Sequence, residues 1–315
     1  MGAFIARRLL AMVPLLLIIT FLVYALVLLV PGDPARTLAG GLHADPAEVA
    51  RIRHQLHFDQ PLLAQYWRWL THAVHGDLGQ SLFQHESVAH GIATRLPVTL
   101  SLALGAFAVS IIIGLPLGIL AGTRPGTVSD RSATVGSSVG IAMPDFFVAI
   151  ILVVIFAVKL HWLPDIGYVK FSTSPFQWAR HLLLPWIALG LGGAATLARQ
   201  VRGSLIDTLD QDYVRTARAM GIGERRVIWQ LALKNALTPA MTILGIQFAY
   251  LLGGTVIIEQ IFSIQGLGAF VLGAIDTKDV PIVQGVVLFI AIVFVLVNLV
   301  VDIMYGVLNP KVRVS

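Results

Sequence analysis

The sequence predicts an all-α membrane protein with six transmembrane helices, on three observations. Of its 315 residues, 57% are hydrophobic and only 12% are charged, where a soluble domain carries about a quarter charged residues. The apolar residues gather into six runs, most of them near the roughly 20 residues that a spanning helix needs. Those runs are continuous, without the period-two alternation of spanning strands.

The first run, Leu9–Val30, follows Arg7 and Arg8. It is longer than the apolar core of a secretory signal, and Pro31-Gly32-Asp33-Pro34 after it offers no small-x-small cleavage site, so it reads as a retained helix. Residues 31–97 read as a small extracytoplasmic helical insertion that packs on the outer ends of the spans. Within it, Asp45 or a neighbour caps a helix with Pro46 at its first position and Glu48 in its first turn, running to about His54. A second helix is predicted from Pro61 to Val74, with Leu62, Leu63, Tyr66, Trp67, Leu70 and Val74 on one apolar face. Gly76-Asp77-Leu78-Gly79 reads as a turn.

The remaining 98–315 read as the transmembrane core. Its runs are Val98–Ala121, Ala133–Leu160, Leu182–Leu197, Leu237–Ile261 and Pro281–Val307. The fourth is short and rich in glycine. Gly114 and Gly118, and Gly190 with Gly193 and Ala194, have the spacing that brings helix backbones together in lipid. Pro14, Pro116 and Pro144 mark expected kinks. Asp145 falls near mid-membrane in the third run, where a carboxylate must face protein or water. It either lines a pathway or caps amides freed at Pro144. Glu259, at the outer end of the fifth run, is a gate residue or bonds the loop that follows it. Asp302, in the last run, is expected to pair with a cytoplasmic arginine.

Basic residues set the orientation. With the N-terminus inside, Arg124, Arg131, Arg199, Arg202, Arg215, Arg218, Arg225, Arg226, Lys234, Lys311 and Arg313 join Arg7 and Arg8 in short inner loops and tails, while all nine histidines fall outside. Both termini are therefore expected in the cytoplasm. This topology accounts for the net charge of +5, and nucleic acid is not expected as a partner. There are no cysteines, hence no disulfides and no thiolate metal sites. His54 with His57, and His72 with His75, have ligand-like spacing but no third ligand, so no metal site is assigned. No Ser/His/Asp arrangement suggests nucleophilic catalysis.

Between the fourth and fifth runs lies the segment 204–234, too long for a turn and too amphipathic for slack. Ser204 or Asp207 is expected to cap a surface helix on which Val214, Ala217 and Met220 share a face. Gly221 supplies a positive φ that ends it, and a second short helix follows from Glu224 to Lys234. Such a bent pair either lies in the headgroups or fits a partner's groove. A membrane anchor would favour Trp, Phe and Leu on its buried face over Thr and Ala.

The stretch Asp212–Gly221, with Arg215, Thr216, Ala217 and Gly221 at the defining places, resembles the EAA loop of importer-type ABC transporter permeases. Arg215 replaces the general motif's leading glutamate. Arg-Thr-Ala, preceded by Asp212-Tyr213-Val214 and followed by Asn235-Ala236-Leu237-Thr238-Pro239, is similar to the dipeptide/oligopeptide/nickel branch. Leu29–Pro34, Phe58–Pro61 with Tyr66, Gly76–Ser81, Arg95–Leu100, Gly253–Glu259 and Ile261–Gly268 resemble the same branch, so the likeness covers essentially the whole chain.

The resemblance implies the B-type permease subunit of an ATP-driven peptide importer in the bacterial cytoplasmic (inner) membrane. Its implied partners are a homologous second permease, two ATP-binding subunits, an extracytoplasmic substrate-binding protein, peptide substrate and membrane lipid. It implies ATPase coupling through Tyr213, Val214, Arg215, Thr216, Ala217, Arg218 and Gly221, and a pathway or gate at Asp145, Phe146 and Glu259, in a hydrated cavity between the third, fourth and fifth spans. Nickel or haem cargo is the alternative within the branch; an ion-coupled secondary transporter is the alternative class. No lysine in the chain follows a glycine, so no Walker A loop is present. The chain is expected not to be an enzyme and to hold no cofactor, ATP and magnesium belonging to the partner subunits.

Overall fold

The computed structural model describes residues 2–29, 34–40, 43–55, 57–84 and 86–308. The proline-glycine signature after the first run lies largely outside them, as do His85, Lys311 and Arg313; the side chains of Arg7, Arg8 and Asp302 are likewise outside the description. Among the described residues the fold is helical throughout, apart from one isolated antiparallel bridge, Gln80 with Ser87. Four helices are long and apolar enough to cross a membrane, and a bent pair makes a fifth candidate.

In chain order the helices are α1 (Gly2–Leu29), α2 (Pro34–Leu38), α3 (Pro46–Gln55), α4 (Leu62–Val74), α5 (Val88–Thr123), α6 (Val128–Ala142), α7 (Asp145–Lys159), α8 (Pro175–Leu209), α9 (Asp212–Ala219), α10 (Glu224–Gly254), α11 (Val256–Ile261), α12 (Leu267–Thr277) and α13 (Val280–Leu308). They divide into two compact units, Gly2–Thr99 with Gln265–Val295, and Leu100–Ile264 with Leu296–Ser315.

In the first unit, Val88 and Ile92 of α5 meet Leu267, Phe270 and Ala274 of α12 and Ile282, Val283 and Val286 of α13 in one apolar core. Buried Asp279, between α12 and α13, accepts from the Ser81 hydroxyl and from the Leu82 N–H at 3.1 Å. Arg95 pairs with Glu86 at 2.7 Å and lies 3.9 Å over the Phe270 ring. Asp45 Oδ1 accepts the Ala47 N–H at the start of α3, as its sequence position predicts. The face of α4 differs from expectation. Tyr66 is buried, but Leu63, Trp67 and Val74 are exposed, because Tyr66 and Trp69 turn to α1. The Tyr66 hydroxyl reaches Thr20, midway along the first apolar run, at 3.0 Å.

In the second unit, α5 and α8 touch backbone to backbone. A Cβ on Gly114 would stand 2.5 Å from the Ala194 carbonyl oxygen, and one on Gly118 would stand 2.7 Å from that of Ala198. Only hydrogen fits there, so the glycine spacing is a packing device, as expected in lipid. Polar cross-links reinforce the contact: Ser110 Oγ donates to the Gly190 carbonyl at 2.9 Å, and Gln247 Nε2 of α10 donates to the Gly193 carbonyl at 2.8 Å.

Two long segments differ from the sequence expectation in degree. The third run bends at the expected Pro144, and sharply: α6 and α7 meet at 101° across Met143-Pro144. Proline cannot donate an N–H and forces its predecessor out of the helical region; Met143 takes ψ 124°. Helices α1 and α5 continue through Pro14 and Pro116. The fourth run is longer than its apolar core, because α8 carries its ladder from Pro175 to Leu209. Ser204 and Asp207 lie inside that helix and cap nothing.

Candidate functional site

Helix α9 follows α8 after a two-residue break at Asp210-Gln211. Asp212 opens it and Arg218 closes it, each charge complementing the helix dipole at its own end. Its end is a Schellman closure: the Ile222 N–H donates to the Ala217 carbonyl at 3.1 Å and the Gly221 N–H to the Arg218 carbonyl at 3.0 Å. Gly221 takes φ +78°, the left-handed conformation this closure requires. Ile222 then folds back beside Ala217 in a small core with Val214 and Val227, flanked by Leu209 and Leu231.

The predicted coupling residues therefore divide into two groups. Val214 and Ala217 face inward and hold α9 down, whereas Tyr213, Arg215, Thr216 and Arg218 stay exposed. Met220 does not share the inner face; it lies exposed at the C-cap. The open face is braced by charge. Arg215 Nη2 donates to Asp210 Oδ1 at 2.7 Å, and that bond raises the arginine's already high pKa, so it stays charged at any working pH. Arg218 grips Glu224 through two bonds, at 2.7 and 3.2 Å. Asn235 Nδ2 donates to the Tyr213 hydroxyl at 2.9 Å, tying α9 to α10.

The expected second short helix is instead the first turns of α10, which runs unbroken from Glu224 to Gly254. Within it, Val227–Ala232 winds as a π-helix. The pair is thus one short helix and the root of a long one. Val227, at that root, packs directly on Val214 and Ala217 of α9.

Asp145 is the first residue of α7 and shares a cavity of about 310 Å³ with Phe146, Met143, Tyr250, Gly254 and Ile257. Among the described residues no N–H donates to its carboxylate, and Phe147 and Val148 donate to the Pro144 carbonyl. Gly192 of α8 makes room for it: a Cβ there would stand 3.2 Å from Oδ1. Glu259 is fully buried in α11 and accepts from the Thr255 hydroxyl at 2.9 Å, one turn before it. It does not line the Asp145 cavity, although its neighbours Ile257 and Ile258 do. A separate groove of about 620 Å³ opens between α5, α6, α7 and α8, walled almost wholly by apolar groups such as Leu117, Val139, Ile151 and Leu191.

Sequence reasoning missed the pair of Asp130 and Arg202. Asp130, buried in the first turn of α6, takes both Arg202 Nε and Nη2 and also accepts the Gly126 N–H at 2.8 Å. This fork fixes the start of α6 to α8 just before α9. A signal was present, since Asp130 is the sole acid between Glu86 and Asp145.

Residues 1–103 match the family model described as the N-terminal part of a binding-protein-dependent transport system membrane component. Residues 114–314 match that of a binding-protein-dependent transport system inner membrane component. Over 313 residues the chain is 42% identical to a putative peptide transport system permease protein of Brucella abortus (strain 2308), covering 99% of each. Over 310 residues it is 39% identical to the glutathione transport system permease protein GsiC of Salmonella typhi, covering 98% of each. Among solved structures, an inward-facing crystal form of the MetNI methionine ABC transporter aligns with a TM-score of 0.54 and 19% identity, over 69% of this chain and 96% of that one. That likeness is one of fold.

Proposed function

The chain belongs to the family of binding-protein-dependent transport system inner membrane components, and from that premise we propose how this permease component of an ABC importer works. It is a multi-pass protein of the inner membrane. In the proposed topology α1, α5, the bent α6–α7 pair, α8, α10 with α11, and α13 are six spans, both termini are cytoplasmic, and residues 31–97 with α12 belong to the outer side. A homologous second permease completes the pathway, two separate ATP-binding subunits supply the work, and an extracytoplasmic binding protein delivers the cargo.

The observation that carries this reading is the geometry of α9. Its inner face is packed on the root of α10, and its outer face is left open, charged and braced. A rigid peg of this kind passes a displacement on to the spans that hold it, which is the rigid-body form of alternating access. Tyr213, Arg215, Thr216 and Arg218 meet the ATPase. Val214, Ala217 and Gly221 keep the peg in shape. Asp145 and Phe146 meet cargo or its water on the pathway, and Glu259 holds the α11 turn through which a gate would act.

The cargo is a short peptide, supported by the peptide and glutathione systems to which the similar chains belong. Glutathione is itself a tripeptide, so one class covers both. Reconstitution tests the reading. Uptake of a labelled dipeptide into vesicles should need the ATP-binding subunits and ATP, and should be competed by glutathione or longer peptides according to cargo range. Uptake that persists without those subunits, driven by an ion gradient, would contradict it.

A further inference from the structure

The first apolar run, Leu9–Val30, spans about 33 Å at 1.5 Å per residue, close to the roughly 30 Å hydrocarbon core of a bilayer. Thr20 lies halfway along it. Its hydroxyl is 3.0 Å from the Tyr66 hydroxyl of α4, which also donates to the Leu17 carbonyl at 3.2 Å. Around that bond the Tyr66 ring packs 5.3 Å from Phe21 and 5.8 Å from Tyr24, and Trp69 packs 5.9 Å from Tyr24. Tyr24 Oη also donates to Gln65 Oε1 at 3.2 Å. Among the described residues, these contacts fall within one turn of the middle of the apolar run, from Leu17 to Tyr24.

A soluble cap could not make these contacts. A tyrosine hydroxyl stands no farther from its backbone than the length of one side chain, so the backbone of α4 must itself lie within the depth of the apolar run. We infer that α4 is a lipid-embedded helix, lying against α1 in the half of the bilayer nearer the C-terminal end of that span. The inference rests on the reading that α1 crosses the membrane.

The uncovered faces of α4 agree with that placement. At 100° per residue, Leu63, Trp67 and Val74 form one stripe beside the α1 contact. They are 60%, 56% and 78% exposed, which is an acyl-chain face if lipid covers it. Thr71 and His72 are also exposed and lie further round the helix, toward the polar side. Arg68 lies on that side too and directs Nη2 to Gln60 Oε1 at 2.7 Å. Tryptophan and leucine on one face with arginine on the other is the composition of an amphipathic helix that lies in the membrane. The occupant of the stripe is thus the acyl region of the lipid, reached by an amphipathic helix that the chain returns into the membrane after α1.

The absence of native cysteines makes the test direct. Single Leu63→Cys, Trp67→Cys, Val74→Cys and His72→Cys variants of the full chain would carry a nitroxide label in phosphatidylethanolamine/phosphatidylglycerol vesicles. Ile18→Cys, on the exposed side of α1, reports whether α1 itself is in the membrane. Power saturation against oxygen and a water-soluble nickel chelate reads each site. The labels at 63, 67 and 74 should collide several-fold more with oxygen than with the chelate, and the label at 72 the reverse. Chelate access at 63 and 67 equal to that at 72, with Ile18 still in lipid, would overturn the inference and leave the spanning reading intact. Protection of 63 and 67 from both reagents would overturn it in favour of a protein partner. Chelate access at Ile18 would instead strike the spanning reading of α1.

Discussion

At the scale of single residues, the polar groups in the core divide by whether they are already bonded. Glu259 accepts from Thr255, and Asp130 is held by Arg202 and Gly126; Asp145 takes no hydrogen bond from the described residues and opens into a cavity with Phe146. Asp145→Asn removes a charge without removing a protein hydrogen bond. Stability should therefore stay within about 0.5 kcal/mol of the parent, while peptide uptake or peptide-stimulated ATP hydrolysis changes several-fold. Thermal unfolding in detergent, run beside vesicle uptake, reads both. Gly221 is a second single-residue test. Nothing lies within 4 Å of where its Cβ would be, so Gly221→Val costs backbone strain alone, about 1–3 kcal/mol for a β-branched residue at positive φ. Copurification of the ATP-binding subunits should fall while membrane insertion is unchanged. Gly223→Ala, with φ −63° and equally open space, should change neither. The role of Gly221 was legible in the sequence because a glycine after an amphipathic helix has one common use. The Asp130–Arg202 fork was not, since no local pattern joins residues 72 positions apart.

At the scale of elements, the close contact of α5 with α8 depends on glycine. Gly114→Leu would drive a side chain into the Ala194 backbone and should destabilise by about 1–3 kcal/mol through overpacking. Gly203→Ala on the same α8, with nothing within 4 Å, should be neutral; thermal unfolding of the two variants separates packing from propensity. The fork between α6 and α8 gives a second element-scale expectation. Arg202→Ala frees the start of α6 from the helix that carries α9, so ATP hydrolysis should persist with less uptake per ATP, and Asp130→Arg with Arg202→Asp should recover part of the loss. Helix existence was legible here from apolar runs alone. Helix ends were not, because α8 continues through Arg199, Arg202, Ser204 and Asp207 on tertiary support. The root of α10 likewise joins its span without the expected break after Lys234, with Val227 packed into the core under α9. The face of α4 was misassigned for a related reason: seven apolar side chains on thirteen residues permit more than one buried arc, and the aromatic contact with α1 selects among them.

At the scale of the whole molecule, the proposed role is that of a transmission driven by a separate subunit. No lysine in the sequence follows a glycine, and α9 stands as a braced peg with an open, charged face. The fold class and the family were legible because composition, apolar runs and the motif from Asp212 to Gly221 agree with one another. The bend at Pro144 was legible as a position but not as an angle, since no local pattern fixes the 101° between two helices that both pack on α8. The central claim is that work enters at α9 from a separate ATP-binding subunit. The measurement that tests it most directly is crosslinking in the assembled transporter, with Thr216→Cys on the open face and Val214→Cys on the buried one. The account predicts that a short bifunctional thiol reagent joins Thr216→Cys to the ATP-binding subunit, in a yield that changes with ATP, and leaves Val214→Cys unjoined. An assembled, transporting complex in which Thr216→Cys never reaches that subunit would contradict it.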